Sequence, residues 1–318
     1  MESEEANNTT VAKKTNSLEL AIAYAGVGSG GMLANLIILL ILLTDWKFLK
    51  QSAIMTGIAI SHFLCAFAIG TAGTYRIVNF AWLDQPSTAW ACALRVYPAA
   101  QPLAFQSMGV MLLVVGIERY CVFEFANWYR IRWTDKMCWR VVGAGYGAVL
   151  ISFSVGLYLV WFQRDTTTFC GYQSTFGKSY ILYGNVISAC GGTAAVALTL
   201  FALFKGMSKV KNLPLGEASR YKRQLKLTTS MLSVAVCDFC LVVIPSFLFI
   251  LSVVFPDSFH SLANGGNLSN FTNVTYCVNT MMSLGTYLAF HKQFKQSALR
   301  FVPCHKKDKV QKLVTGAL

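Results

Sequence analysis

The sequence predicts an all-α fold: an integral-membrane bundle of seven transmembrane helices followed by a short C-terminal amphipathic helix. Three observations predict it. The first is composition, since 55% of the 318 residues are hydrophobic and 13% charged, with a mean hydropathy of +0.50. Soluble domains carry roughly 25% charged residues, so this is the composition of a chain solvated by lipid. The second is the set of seven long apolar windows: Leu18–Leu43, Ala53–Tyr75, Leu94–Val115, Val141–Phe162, Tyr180–Phe204, Leu227–Phe255 and Phe271–Phe290. Each reaches the roughly 20 residues that a helix needs to cross hydrocarbon.

The third observation is charge asymmetry. With the N-terminus outside, the inner segments hold 21 of the 27 Lys and Arg residues, and the outer side keeps Lys13, Lys14, Arg76, Arg95, Arg164 and Lys178. Positive charge gathers on the inner side of membrane proteins, so the net charge of +13 records topology and implies no nucleic-acid partner. The expected division is an outer N-terminal segment (1–17), a helical bundle (18–290), and an inner amphipathic helix with a basic tail (291–318). Met1–Glu5 is acidic and the first apolar run is long enough to span, which is not a signal-peptide pattern. Every Asn-x-Ser/Thr sequon falls in a segment assigned outside, with Asn8 and Asn267 the preferred glycosylation sites and Asn273 too deep in the last window.

In the third window the stretch Gly109–Phe125 runs aliphatic until Glu118-Arg119-Tyr120. Hydrocarbon does not hold an unpaired ionised residue, so the bilayer is expected to end there. This ending resembles that of the third helix in the rhodopsin-like G-protein-coupled receptors. Other positions carry the same resemblance: Asn35 in the first window, Phe239 and Pro245 in Phe-Cys-Leu-Val-Val-Ile-Pro, and Tyr287 followed by Phe294. Several depart from it. His62 stands where the family has a sodium-binding Asp, Val242 and Val243 replace Cys and Trp, and Ser283-Leu284 replaces Asn-Pro. The mixture, with a Trp-Tyr-Arg loop after the third window, looks most like the nematode serpentine chemoreceptors, of the Srsx type.

The resemblance implies a plasma-membrane receptor with an extracellular N-terminus, a sensory-neuron cilium being one candidate location. It implies a small extracellular ligand, a heterotrimeric G protein and the bilayer as partners, and no cofactor. Cys92 and Cys170 match the family's disulfide between the second outer loop and the third helix. Glu118, Arg119, Tyr120 and Tyr287 take the coupling positions, and Phe239 with Pro245 the switch in the sixth helix. Lys222-Arg223-Gln224-Leu225-Lys226 is basic, so the inter-helix ionic lock of some relatives is absent, which points to basal activity. Cys304, just after the amphipathic helix, suits either a palmitoyl acceptor or a free thiol.

The residues themselves add further expectations. Asp238 is an ionisable group at membrane depth, where such groups are usually paired. It either pairs with His62 in the bundle core or faces a water-filled cavity alone. Pro98 and Pro102 interrupt the third window and predict a kink. Gln101 occupies the place where amine receptors carry an Asp, which argues against an amine ligand. Gln101, Phe105 and Gln106 recur at i, i+4 and i+5 and are expected to face one cavity. Tyr75, Arg76, Tyr97, Tyr172, Tyr183, Tyr276 and Asn279 complete the candidate pocket, although packing explains the aromatics equally well. Arg76 and Arg95 at the outer rim favour an acidic cue. Glu124–Lys136, aromatic and basic together, suits an interfacial anchor or a G-protein contact.

Two other classes compete. An enzyme would need catalytic ligands, yet His62, His260, His291 and His305 show no metal-ligand spacing. A transporter could use His62 and Asp238 as a proton relay.

Overall fold

The computed structural model describes residues 2–44, 52–79, 87–162, 166–167, 170–211, 215–256 and 267–301. Nearly all of them are helical. In chain order the helices are α1 (Glu2–Thr44), α2 (Ala53–Val78), α3 (Ala89–Ala93), α4 (Val96–Glu124), α5 (Ala126–Arg132), α6 (Asp135–Phe162), α7 (Tyr172–Lys211) and α8 (Leu215–Asp238). A π-helical turn, Phe239–Val243, joins α8 to α9 (Ile244–Val254), and α10 (Asn267–Phe290) and α11 (Lys292–Phe301) follow. Two short strands, β1 (Ser87–Thr88) and β2 (Thr166–Thr167), pair antiparallel with Ser87 opposite Thr167.

Among the described residues, six helical runs are long and apolar enough to cross a membrane: Leu18–Thr44, α2, α4, α6, α7, and Gln224–Val254 through the π turn. The last expected window departs from this set. At 24 residues α10 is long enough, at roughly 36 Å, but Thr272, Asn273, Asn279, Thr280, Ser283 and Thr286 dilute its hydropathy. The bundle absorbs these groups. Thr272, Thr280, Ser283 and Thr286 donate to carbonyls of their own helix, and the Asn amides bond across helices.

Small residues let the helix backbones approach, as lipid-embedded packing requires. Gly28 of α1 lies against Gly70 of α2, and a Cβ on Gly116 of α4 would stand 2.7 Å from the Cα of Ala195 in α7. Asn35 is fully buried and satisfied by Gly31 O at 2.9 Å, Thr280 O at 2.8 Å and the Ser283 hydroxyl at 3.2 Å. The outer surface is the reverse of a soluble domain's. α6 buries only Val142, Val149, Gly156 and Val160, and leaves Leu150, Ile151, Val155 and Leu159 more than half exposed. An apolar girdle of this kind suits contact with lipid rather than water.

The helices outrun the apolar windows because their ends carry polar residues. α4 continues one turn past Arg119 to Glu124, and Cys92 sits on the separate helix α3 rather than on α4. Pro98 falls in the first turn of α4, where its missing N–H breaks no ladder bond, and Pro102 lies inside the helix. Ahead of Pro245, the Ile244 N–H reaches back five residues to Phe239 O. Proline cannot donate to the carbonyl four residues earlier, and the chain answers with this widened turn.

Candidate functional site

The end of the bundle that carries the Cys92–Cys170 disulfide opens into a cavity of about 620 Å³. Arg76 of α2, Tyr97, Gln101 and Phe105 of α4, Tyr172 and Lys178 of α7, and Asn270 and Asn273 of α10 line it. The disulfide ties the start of α7 to α3, and the Tyr97 hydroxyl of α4 donates to Cys170 O. Gly177, at φ 77° and ψ 158°, breaks α7 in a backbone conformation that disfavours a Cβ. The turn Tyr172–Phe176 can therefore lean inward, with Tyr172 edge-on to Phe105 at 5.8 Å.

Beneath Phe105 lies Tyr276, edge-on at 4.9 Å. Its hydroxyl bonds Ser246, which also donates to Val242 O in the π turn. On the α1 side, the Arg76 guanidinium stands 5.3 Å over the Tyr24 ring. The Tyr24 hydroxyl donates to Asn270 Oδ1 at 3.0 Å and accepts from Asn273 Nδ2 at 3.2 Å. The amides of these two sequons are thereby committed to α1.

Of the ten expected pocket residues, Arg76, Tyr97, Gln101, Phe105 and Tyr172 line the cavity. The other five stand elsewhere. Tyr75 packs on Tyr97 at 5.0 Å and accepts from Arg95, so Arg95 is also held off the cavity. Gln106 is buried and donates to the Tyr180 hydroxyl at 3.1 Å, because one residue past Phe105 turns roughly 100° around the helix. Tyr183 faces outward, 47% exposed. Tyr276 lies under the floor, and Asn279 bonds Asp238 deeper in the bundle. No sequence pattern marks Tyr24 or Lys178, since only the packing of α1 and the break at Gly177 bring them near.

Midway along the bundle three polar side chains meet. His62 Nε2 is 3.5 Å from Asp238 Oδ1, and Asn279 Nδ2 donates to the same oxygen. All three are buried, and His62 Nδ1 and Asp238 Oδ2 lack a hydrogen-bond partner among the described residues.

At the opposite end, some 22 residues and roughly 33 Å along α4 from Tyr97, lies a smaller cleft of about 100 Å³. Glu118, Arg119, Ile54, Leu227, Met231 and His291 are among its lining. Arg119 is buried, with Nη2 2.6 Å and Nε 3.2 Å from Glu118 Oε2. The Tyr129 hydroxyl of α5 donates to Glu118 Oε1 at 2.9 Å. Burial and the adjacent carboxylate push the Tyr129 phenol well above its usual range. In the sequence Tyr129 is the tyrosine of the Trp-Tyr-Arg loop, and its bond to Glu118 is visible only in the folded chain.

Two expected coupling residues lie outside this cleft. Tyr120 turns to Phe201 at 5.6 Å, and Tyr287 packs on Phe294 at 5.6 Å, beside Leu42 and Val234. His291 opens α11, its Nδ1 accepting the Phe294 N–H at 3.2 Å. Burial first, then the Arg119 charge, lowers its pKa below the usual imidazole value. In α11 Phe294 and Ser297 turn onto the bundle, whereas Leu299 is exposed. Asn8 falls within α1 and Asn267 opens α10, but their side chains, and all of Cys304, lie outside the described residues. Among the described residues, no three His, Cys, Asp or Glu side chains come together as a metal site.

Comparison of the chain with protein-family models and with curated proteins finds no match.

Proposed function

We propose that the chain is a seven-helix receptor of the rhodopsin-like G-protein-coupled type, chemosensory in role, with its N-terminus and disulfide end outside the plasma membrane. α10 serves as the seventh span, its polar face turned into the bundle. A small extracellular ligand enters the cavity lined by Gln101 and Phe105. The observation that carries the reading is the buried Glu118–Arg119 pair, 2.6 Å apart, in a cleft walled by Leu227 and Met231 of α8. Outward movement of α8 about the Phe239–Pro245 segment would open that cleft to a heterotrimeric G protein. The coupling path runs through packed groups. Phe105 rests on Tyr276, Tyr276 bonds Ser246, and Ser246 bonds the π turn.

Nucleotide exchange by a panel of purified G proteins on membranes containing the chain tests this. Exchange abolished by Arg119→Ala is the expected result, and exchange indifferent to that substitution removes Arg119 from the mechanism. A second reading, a proton-coupled transporter, is favoured by the buried His62–Asp238 contact alone. Proton-driven uptake into proteoliposomes, lost in both His62→Ala and Asp238→Ala, would replace the receptor reading.

A further inference from the structure

We infer that the cavity at the disulfide end takes a small amphipathic organic acid: a carboxylate at one end and a hydrogen-bond donor on an aromatic or otherwise flat body. The inference rests on the ligand-binding half of the proposed function and names the chemistry of that ligand. About 620 Å³ is room for a molecule of drug-like size.

Charge sets the head group. The charged residues among the described lining are Arg76 and Lys178, both cationic. An ammonium ligand would enter a field of its own sign, whereas a carboxylate meets two opposite charges between low-dielectric walls. Arg76 is the better anchor because its planar guanidinium matches a carboxylate bidentately. The Tyr24 ring beneath it, tied to Asn270 and Asn273, holds that guanidinium at the cavity wall.

The body of the ligand follows from the other wall. Tyr97, Phe105 and Tyr172 present ring surfaces suited to a flat apolar group. Gln101 is 4% exposed, lines the cavity, and its Oε1 has no hydrogen-bond partner among the described residues. A buried acceptor without a donor is unfavourable, and a carboxylate has none to give. The complementary ligand therefore carries an N–H or O–H on its body, away from the acid.

The test uses the full chain in lipid nanodiscs, with indole-3-butyrate and the amide and amine that share its indole and chain as probes. Saturable binding of the tritiated acid is expected, with the amine competing at least about tenfold more weakly. Arg76→Gln should weaken the acid by at least about tenfold, and Arg76→Lys by less. Gln101→Glu should reverse the preference towards the amine, a gain that a misfolded cavity cannot produce. Equal competition by acid and amine, preference for the amine in the unaltered chain, or no saturable binding of any probe overturns the inference. Acid binding without G-protein exchange would refute the receptor reading and leave the acid site standing. Arg119-dependent exchange without acid binding would do the reverse.

Discussion

His62 Nε2 stands 3.5 Å from Asp238 Oδ1, in a part of the bundle where both residues are 1% exposed. The contact ties α2 to the last residue of α8, immediately before the π turn. Removing one member of a buried polar pair leaves the other short of a partner, although Asn279 still donates to Asp238, so His62→Ala or Asp238→Ala should each cost about 1–3 kcal/mol. Thermal unfolding of the detergent-solubilised protein measures it. The exchange His62→Asp with Asp238→His should recover a substantial part of that loss. No recovery would mean that the two act separately.

Tyr129 restrains the Glu118–Arg119 pair from α5 through its 2.9 Å bond to Glu118. Tyr129→Phe removes a hydrogen bond to a charged group, worth about 1.5–3 kcal/mol, while keeping the ring stacked on Trp133. On the receptor reading, this substitution raises basal nucleotide exchange severalfold without ligand. Unchanged basal exchange would show that Glu118 needs no such restraint.

His291 gives the fold a pH dependence of definite sign. Its pKa is lowered in the folded chain, so below its unfolded value of about 6.5 the unfolded chain binds the extra proton more readily. The contribution is therefore present above pH of about 6.5 and is lost as pH falls from there towards the folded pKa. Protonation would also end the Nδ1 acceptance that caps α11. Tm should drop between pH 7.5 and 5, and the drop should be smaller in His291→Asn, which can cap without titrating.

Close helix contact makes Gly116 sensitive to size. A Cβ there would meet the Ala195 backbone at 2.7 Å, which a flexible side chain cannot relieve. Gly116→Val should destabilise the protein by about 1–3 kcal/mol or more by overpacking, read as lower Tm and lower monodisperse yield. Gly143 of α6 has open space at its Cβ, and Gly143→Ala should leave Tm nearly unchanged.

The Cys92–Cys170 bond closes a separation of 78 residues. Chain-entropy arithmetic gives such a loop about 4–5 kcal/mol. Cys92→Ser with Cys170→Ser should lower Tm and also weaken ligand binding, since Tyr97 and Tyr172 flank the bond. Loss of stability with binding intact would separate the cavity from its staple.

What the sequence determined by itself is whatever depends on local order along the chain. Apolar windows of sufficient length demand helices, because backbone groups in hydrocarbon must bond within their own segment. The resemblance of Glu118-Arg119-Tyr120, Phe239/Pro245 and Tyr287/Phe294 was visible on the same terms. The sequence also marks Asp238 as an ionisable group at membrane depth, with His62 as one candidate partner and a water-filled cavity as the alternative.

Only the tertiary structure decided which way each side chain turned. Gln101 and Gln106 read alike in the sequence, yet one lines the cavity and the other bonds Tyr180, because five residues of helix leave them on different faces. Tyr24 and Lys178 carry no motif, and they gain their places only through the way the helices pack. The polarity of α10 is likewise settled by its neighbours: amides that would be costly in lipid are satisfied by Tyr24 and Asp238. Periodicity along a chain fixes helices, but a helix has many faces, and packing alone selects which of them is buried.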